Sequence, residues 1–230
     1  MGLKLTFFSD THMRHKGVEK HLPGGHILFF MGDCGTRGNQ HEIHDFLKWF
    51  GDIKSYDYKV MIAGNHDHFF EWQPEHAREM VANKERYGDI IYLQDESISL
   101  CGLNIYGSPW QPTFHNWAFN LPRNGDELET VWSKIPENTD ILLTHGPPYQ
   151  ILDYTYNSPH PVGCEKLQSR VFEVDPIIHA FGHIHDSWGE RVVNDITFIN
   201  GTIMDENYYP NNKPITVDLN LETQEIIYDY

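Results

Sequence analysis

Five times along the chain a short apolar run stops at a cluster of residues of the kind that bind metals. Leu3 to Phe8 runs into Asp10-Thr11-His12, and Ile27 to Met31 into Gly32-Asp33. Val60 to Ala63 runs into Gly64-Asn65-His66-Asp67, Asp140 to Leu143 into Thr144-His145-Gly146, and Ile177 to Phe181 into Gly182-His183-Ile184-His185. Apolar runs of this length, bounded by polar turns, read as buried strands. Open α/β sheets place their ligands beyond the carboxyl ends of their strands. The clusters are therefore expected to meet at one rim, and this constrains the fold more than any other feature.

The segments between the runs suit helices. Asn39 to Phe50 reads as one, with Asn39 as cap, Glu42 as its reciprocal partner and Gly51 as its end. Pro74 to Tyr87 reads as another, with proline in the first turn and Gly88 after the last. Helical spacing also links Leu128, Val131 and Trp132, and Cys164, Leu167 and Val171. Shorter strands are expected at Ile90–Leu93, Ser97–Leu100 and Asn104–Tyr106. After the last cluster, Val192-Val193, Ile196–Ile199, Ile215–Leu219 and Glu225–Tyr228 alternate as antiparallel strands do. With no repeat or linker-like tract, the economical reading is a single α/β domain over residues 1–230.

Composition limits the function classes. The net charge of −16 argues against a protein that coats extended nucleic acid, because that requires many basic side chains. It leaves a small phosphate substrate open, since divalent metals can supply local positive charge. No apolar run approaches the ~20 residues that cross a bilayer, and no signal peptide is read at the N-terminus. The three cysteines form no CxxC pair and fit a reducing, cytoplasmic setting. Oligomeric state is left open.

The clusters offer specific chemistry. Residues i and i+2 of an extended segment point to one side, so Asp10 with His12, and His183 with His185, can each reach toward one site. Asp33 has two carboxylate oxygens and can bridge two ions. Asn65 offers a neutral oxygen ligand. His66 beside it is either a surface residue or an acid for a leaving group. His145 is either a structural residue at a strand end or a ligand. Sulfur is absent from the set, and a mixed nitrogen and oxygen set suits Mn, Fe or Zn. Arg37 is either a surface residue or a phosphate contact. Trp110, Phe114 and Trp117 are either core residues or a wall of the substrate pocket.

In this order, D-x-H, G-D, G-N-H-D, T-H-G and G-H-x-H resemble the calcineurin-like metallophosphoesterase superfamily. The stretches Ile105 to Pro112 and Trp117 to Leu121 look like a narrower branch, the metallophosphoesterase-domain proteins related to class III cyclic nucleotide phosphodiesterases. The resemblance implies a four-layer αββα sandwich of two mixed sheets with metals where the sheets meet. It also implies two divalent ions, with Mn expected ahead of Fe or Zn. Asp10, His12 and His185 would hold one ion and Asn65, His145 and His183 the other, with Asp33 shared and His66 beside the scissile phosphate. The expected activity is hydrolysis of small phosphodiesters by a hydroxide held between the ions, with cyclic nucleotides the first choice. A phosphomonoesterase, nuclease or protein phosphatase on the same scaffold, or a binding protein without turnover, is the alternative.

Overall fold

Strand β1 (Gly2–Phe8) shows how the chain divides its apolar residues. Successive side chains of a strand point to opposite faces. Leu3, Leu5 and Phe7 enter one core and Phe8 enters another. β2 (Gly25–Met31) does the same, with Ile27, Phe29 and Met31 in the first core and Leu28 and Phe30 in the second. A strand buried on both faces needs a covering layer on each side. The computed structural model, which describes residues 2–228, supplies both.

β1 and β2 run parallel with β3 (Tyr56–Ile62) and the short β4 (Ile91–Tyr92). The hairpin β5 (Glu96–Leu100) and β6 (Leu103–Ser108) opens a second sheet. A ribbon of β7 (Gln111–Pro112) and β8 (Asn120–Leu121) follows. β9 (Ile141–Thr144) pairs parallel with β6, and β10 (Ile178–Phe181) pairs parallel with β9. β11 (Gly189–Val193) is antiparallel to β12 (Ile196–Asn200), which is itself parallel to β10. β13 (Ile215–Asn220) then pairs antiparallel with β1, and β14 (Ile226–Tyr228) antiparallel with β13. Among the described residues the two large sheets hold six strands each, ordered β14-β13-β1-β2-β3-β4 and β11-β12-β10-β9-β6-β5.

The sheets face each other across the first core. There Phe7, Phe29 and Ile62 meet Ile105, Leu143 and Ala180. The outer face of the first sheet is covered by α1 (Gln40–Asp52), α2 (His68–Trp72), α3 (Pro74–Ala82) and α4 (Lys84–Tyr87). The outer face of the second is covered by α5 (Asp126–Trp132) and α6 (Glu165–Val174), through Leu128, Trp132, Leu167 and Val171. This is the expected αββα sandwich. Among the described residues no helix is long and apolar enough to cross a membrane.

Several local expectations need correction. Gly51 lies inside α1 rather than ending it; a Cβ there would sit 1.5 Å from the carbonyl oxygen of Tyr87, so it is the close approach of α4 that requires glycine. Asn39 caps α1 by accepting from the backbone N–H groups of His41 and Glu42, but Glu42 does not reach back to it. Instead Glu42 Oε2 accepts from the N–H groups of Thr36, Arg37 and Gly38 at 3.0, 2.9 and 2.8 Å. The helix expected over Pro74–Tyr87 divides at Asn83, whose side chain caps α4 at Arg86 N. Helix α2 had not been anticipated. β12 pairs antiparallel with β11 as its alternation suggested, and on its other edge it runs parallel to β10.

Candidate metal centre

β1, β2 and β3 are parallel, so the loops after Phe8, Met31 and Ile62 leave the first sheet on one side. β9 and β10 deliver the loops after Thr144 and Phe181 from the second sheet. The two rims are stitched together: Ser9 N donates to Gly201 O at 2.9 Å and His145 Nδ1 to Met31 O at 2.8 Å. All five clusters read from the sequence thus meet.

They do so by a different backbone from the one expected. Asp10 and His12 are not extended; their φ values are 54° and 40°. Asp33 and His183 are also left-handed, at 62° and 68°. For residues other than glycine this conformation costs on the order of 1 kcal/mol or more each. Such strain persists where the surroundings over-determine it, and it concentrates at functional sites. Here the restraints are local hydrogen bonds. His12 N donates to Asp33 O, and His183 N donates to the Asp10 carboxylate at 3.0 Å, which Ser9 Oγ also reaches. Two glycines make room. A Cβ at Gly64 would lie 2.3 Å from Asp33 Oδ1, and one at Gly182 would lie 2.2 Å from Asp10 Oδ2.

The ligand atoms fall into groups within 4.8 Å of one another: Asp10, His12 and His185; Asp33, His145 and His183; and His12, Asp33 and His66. The imidazole tautomers follow from their carbonyl partners, which can only accept. His12 Nδ1 donates to Gly35 O at 3.0 Å and His145 Nδ1 to Met31 O at 2.8 Å. Their Nε2 atoms are then bare in the neutral rings. His12 Nε2 lies 3.4 Å from His185 Nε2 and 3.8 Å from Asp33 Oδ2. His145 Nε2 lies 2.8 Å from Asn65 Oδ1 and 3.4 Å from Asp33 Oδ2. Lone pairs that face lone pairs in a buried cluster repel unless positive charge sits between them. The donor set therefore fits cations.

The electrostatics agree. Burial opposes ionisation of Asp33, yet His145, His66 and His12 hold it well below the usual carboxylate range. Burial likewise opposes the charge on Asp10, and His185 brings its pKa down to about 2. Burial disfavours protonated His145, but Asp33 raises its pKa to about 9. A proton on His145 here stands where a cation would place its charge.

Asp67 lies behind this layer and was not singled out from the sequence, although it closes the Gly64-Asn65-His66-Asp67 cluster. It is fully buried and gathers Asp33 N, Gly64 N and Gly35 N at 2.8, 2.8 and 3.1 Å. It also takes the Cys34 thiol, so it sets the shape of two ligand-bearing loops at once. Its only sequence signal was a carboxylate following a glycine turn.

His66 projects differently from the buried imidazoles. Its N–H donates to Asp33 Oδ1 at 2.7 Å and its Nδ1 donates to Thr36 O at 2.7 Å. Its ring stacks on Trp117 at 4.0 Å between centroids and meets His12 edge-on at 4.7 Å. His66 lines a cavity of about 340 Å³ together with Asp33, Asn65, His183 and His185. Phe114 forms part of the wall, 5.8 Å from His183. Trp117 backs His66 rather than facing the cavity. Trp110 turns away: its indole N–H donates to Asp95 at 3.0 Å and its ring packs edge-on against Phe119. Arg37 is exposed and is not among the cavity residues. Arg123 is the one Lys or Arg lining the cavity among the described residues, and sequence reasoning missed it. Its guanidinium donates to Gly163 O at 2.7 Å, to Glu165 at 2.8 Å and to Val162 O at 2.5 Å.

Residues 3–187 match the family model described as calcineurin-like phosphoesterase. The human protein named Metallophosphoesterase domain-containing protein 1 is 38% identical over 229 residues, covering 92% of this chain and 69% of that one. A Caenorhabditis elegans UPF0046 protein is 37% identical over 233 residues, covering 91% of this chain and 58% of its own length. Among solved structures, TT1561 of Thermus thermophilus superposes with a TM-score of 0.65 at 13% identity, covering 100% of this chain and 99% of that one. That likeness is one of fold alone.

Proposed function

We propose that this chain, which belongs to the calcineurin-like phosphoesterase family, hydrolyses small phosphodiesters, cyclic nucleotides first among them, with two divalent cations. The observation that carries the reading is the set of bare Nε2 atoms converging on Asp33 and Asn65. On this reading Asp10, His12 and His185 hold one cation, Asn65, His145 and His183 hold the other, and Asp33 is shared. Mn suits this nitrogen and oxygen set first, ahead of Fe or Zn. Such a pair of ions supplies positive charge for phosphate oxygens and lowers the pKa of a water held beside them.

The side chains do the rest. The carbonyls of Gly35 and Met31 fix the His12 and His145 tautomers. Asp67 holds the Asp33 and Asn65 loops in register. His66, kept upright by Thr36 and Trp117, passes a proton to the departing ester oxygen and regains it from solvent. Phe114 offers an apolar wall, and Gln111, Thr113, Asn157 and Ser158 offer uncharged polar groups for the rest of the substrate.

The cavity supports a small substrate over a polymer. Its volume of about 340 Å³ is within the range for small ligands. Arg123 is engaged with the segment that leads into α6, Asp186 and Glu206 stand at the wall, and the chain carries −16 overall. A second phosphate group has no free Lys or Arg to meet there among the described residues. The unpaired Cys34, Cys101 and Cys164 suit a cytoplasmic setting for this chemistry, in a single domain.

The test is a rate comparison in Mn across 2′,3′- and 3′,5′-cyclic nucleotides, bis-p-nitrophenyl phosphate, p-nitrophenyl phosphate and DNA. The diesters of small alcohols should be turned over fastest, with cyclic nucleotides ahead of DNA. A kcat/KM for single- or double-stranded DNA above that for every cyclic nucleotide would establish a nuclease instead.

A further inference from the structure

We infer that Tyr208 is a substrate-contacting residue whose hydroxyl donates a hydrogen bond to a phosphoryl oxygen held at the metal centre. The inference rests on the phosphoesterase reading of that centre. It concerns a loop outside residues 3–187, the segment that matches the family.

Tyr208 lies on the segment between β12 and β13, beyond every cluster that supplies a candidate ligand. Its ring packs 4.7 Å from His185 and 5.2 Å from His12, over the Asp10 side of the centre. It lines the same cavity as Asp33, His66 and His183, and 49% of its surface is open. Among the described residues its hydroxyl has no hydrogen-bond partner. A phenol that is half withdrawn from water and has no partner of its own can give its proton to a ligand.

The backbone is built to hold it there. Tyr208 has φ = 60°, a left-handed conformation uncommon for a bulky side chain. Tyr208 N donates to Asp205 O at 2.9 Å, and Asp205 N donates to Tyr209 O at 2.8 Å. The Asp205 carboxylate gathers Asn207 N, Tyr209 N and Asn211 Nδ2 at 2.9, 2.9 and 2.6 Å. Asn212 ties the loop back to Ile203 O and Met204 O at 3.1 and 3.0 Å. A loop this heavily bonded, carrying one strained aromatic residue over two imidazoles, is a positioned arm. His12 is packed by both His66 and Tyr208, at 4.7 and 5.2 Å between ring centroids, so both residues stand beside one candidate ligand.

The hydroxyl and the ring can be tested separately. Tyr208→Phe removes only the hydroxyl. Bound Mn should stay at the wild-type level, kcat/KM on bis-p-nitrophenyl phosphate should fall about 10- to 100-fold, and the Mn-loaded protein should bind inorganic phosphate more weakly by a similar factor in calorimetry. Tyr208→Ala should reproduce these losses and also weaken Mn binding, because His12 and His185 lose their packing. If Tyr208→Phe matches wild type in phosphate affinity and in kcat/KM, the inference is overturned. Phosphate binding is the independent arm: loss there in a protein with no diesterase activity would keep the Tyr208 contact and discard only the diester reading.

Discussion

Asp33→Ala should strip the centre of most of its metal and lower kcat/KM on a phosphodiester by on the order of 1,000-fold or more. The size follows from how many groups meet at one carboxylate. Oδ2 lies 3.4 Å from His145 Nε2 and 3.8 Å from His12 Nε2, so it faces both ligand groups. Oδ1 accepts from His66 N at 2.7 Å, which ties the proton-donating residue to the same atom pair. Its charge also offsets whatever positive charge the buried imidazoles carry. The substituted alanine would have to keep φ = 62°, which costs roughly 1 kcal/mol, so circular dichroism should still report a folded chain. A variant that retains two metals per chain by elemental analysis would remove Asp33 from the shared position.

His66→Ala should leave metal content unchanged and lower kcat about 100- to 10,000-fold for esters of alkyl alcohols. The deficit should shrink for p-nitrophenyl esters, whose leaving oxygen needs no proton. The geometry admits a competing role, because His66 also belongs to a group with His12 and Asp33 whose ligand atoms lie within 4.8 Å. The two roles separate cleanly. Loss of one metal from His66→Ala, with equal loss of rate on both kinds of ester, would make His66 a ligand.

The meeting of the five clusters could be read from the sequence because each polar group directly follows an apolar run. Contiguity of that kind survives any error in element boundaries. The geometric reason given for it did not survive. Asp10 and His12 were expected to share a side through an extended backbone, whereas left-handed residues at 54° and 40° turn the chain so that both reach the centre. Residues other than glycine rarely take that conformation, so no local pattern signals it. Gly51 misled for a similar reason: what requires a glycine there is the carbonyl of Tyr87, a contact between helices distant in sequence. Asn83 breaks a helix because its side chain reaches Arg86 N, and asparagine does so only where the next turn is free to restart. Trp110 and Trp117 were left as either core residues or a pocket wall, and two positions seven residues apart on a loop need not face one way. Trp110 bonds Asp95 and Trp117 stacks behind His66. Asp67 and Tyr208 act through placement alone, one beneath the centre and one arriving from a late loop.

The most direct test of the two-cation account is a Mn titration of the chelated protein, with bound Mn and bis-p-nitrophenyl phosphate hydrolysis measured on the same samples. The account requires almost no turnover without metal, a steep rise as the second equivalent binds, and a plateau at two Mn per chain. Full activity in the chelated protein, or a plateau in both rate and binding at one Mn per chain, would contradict it.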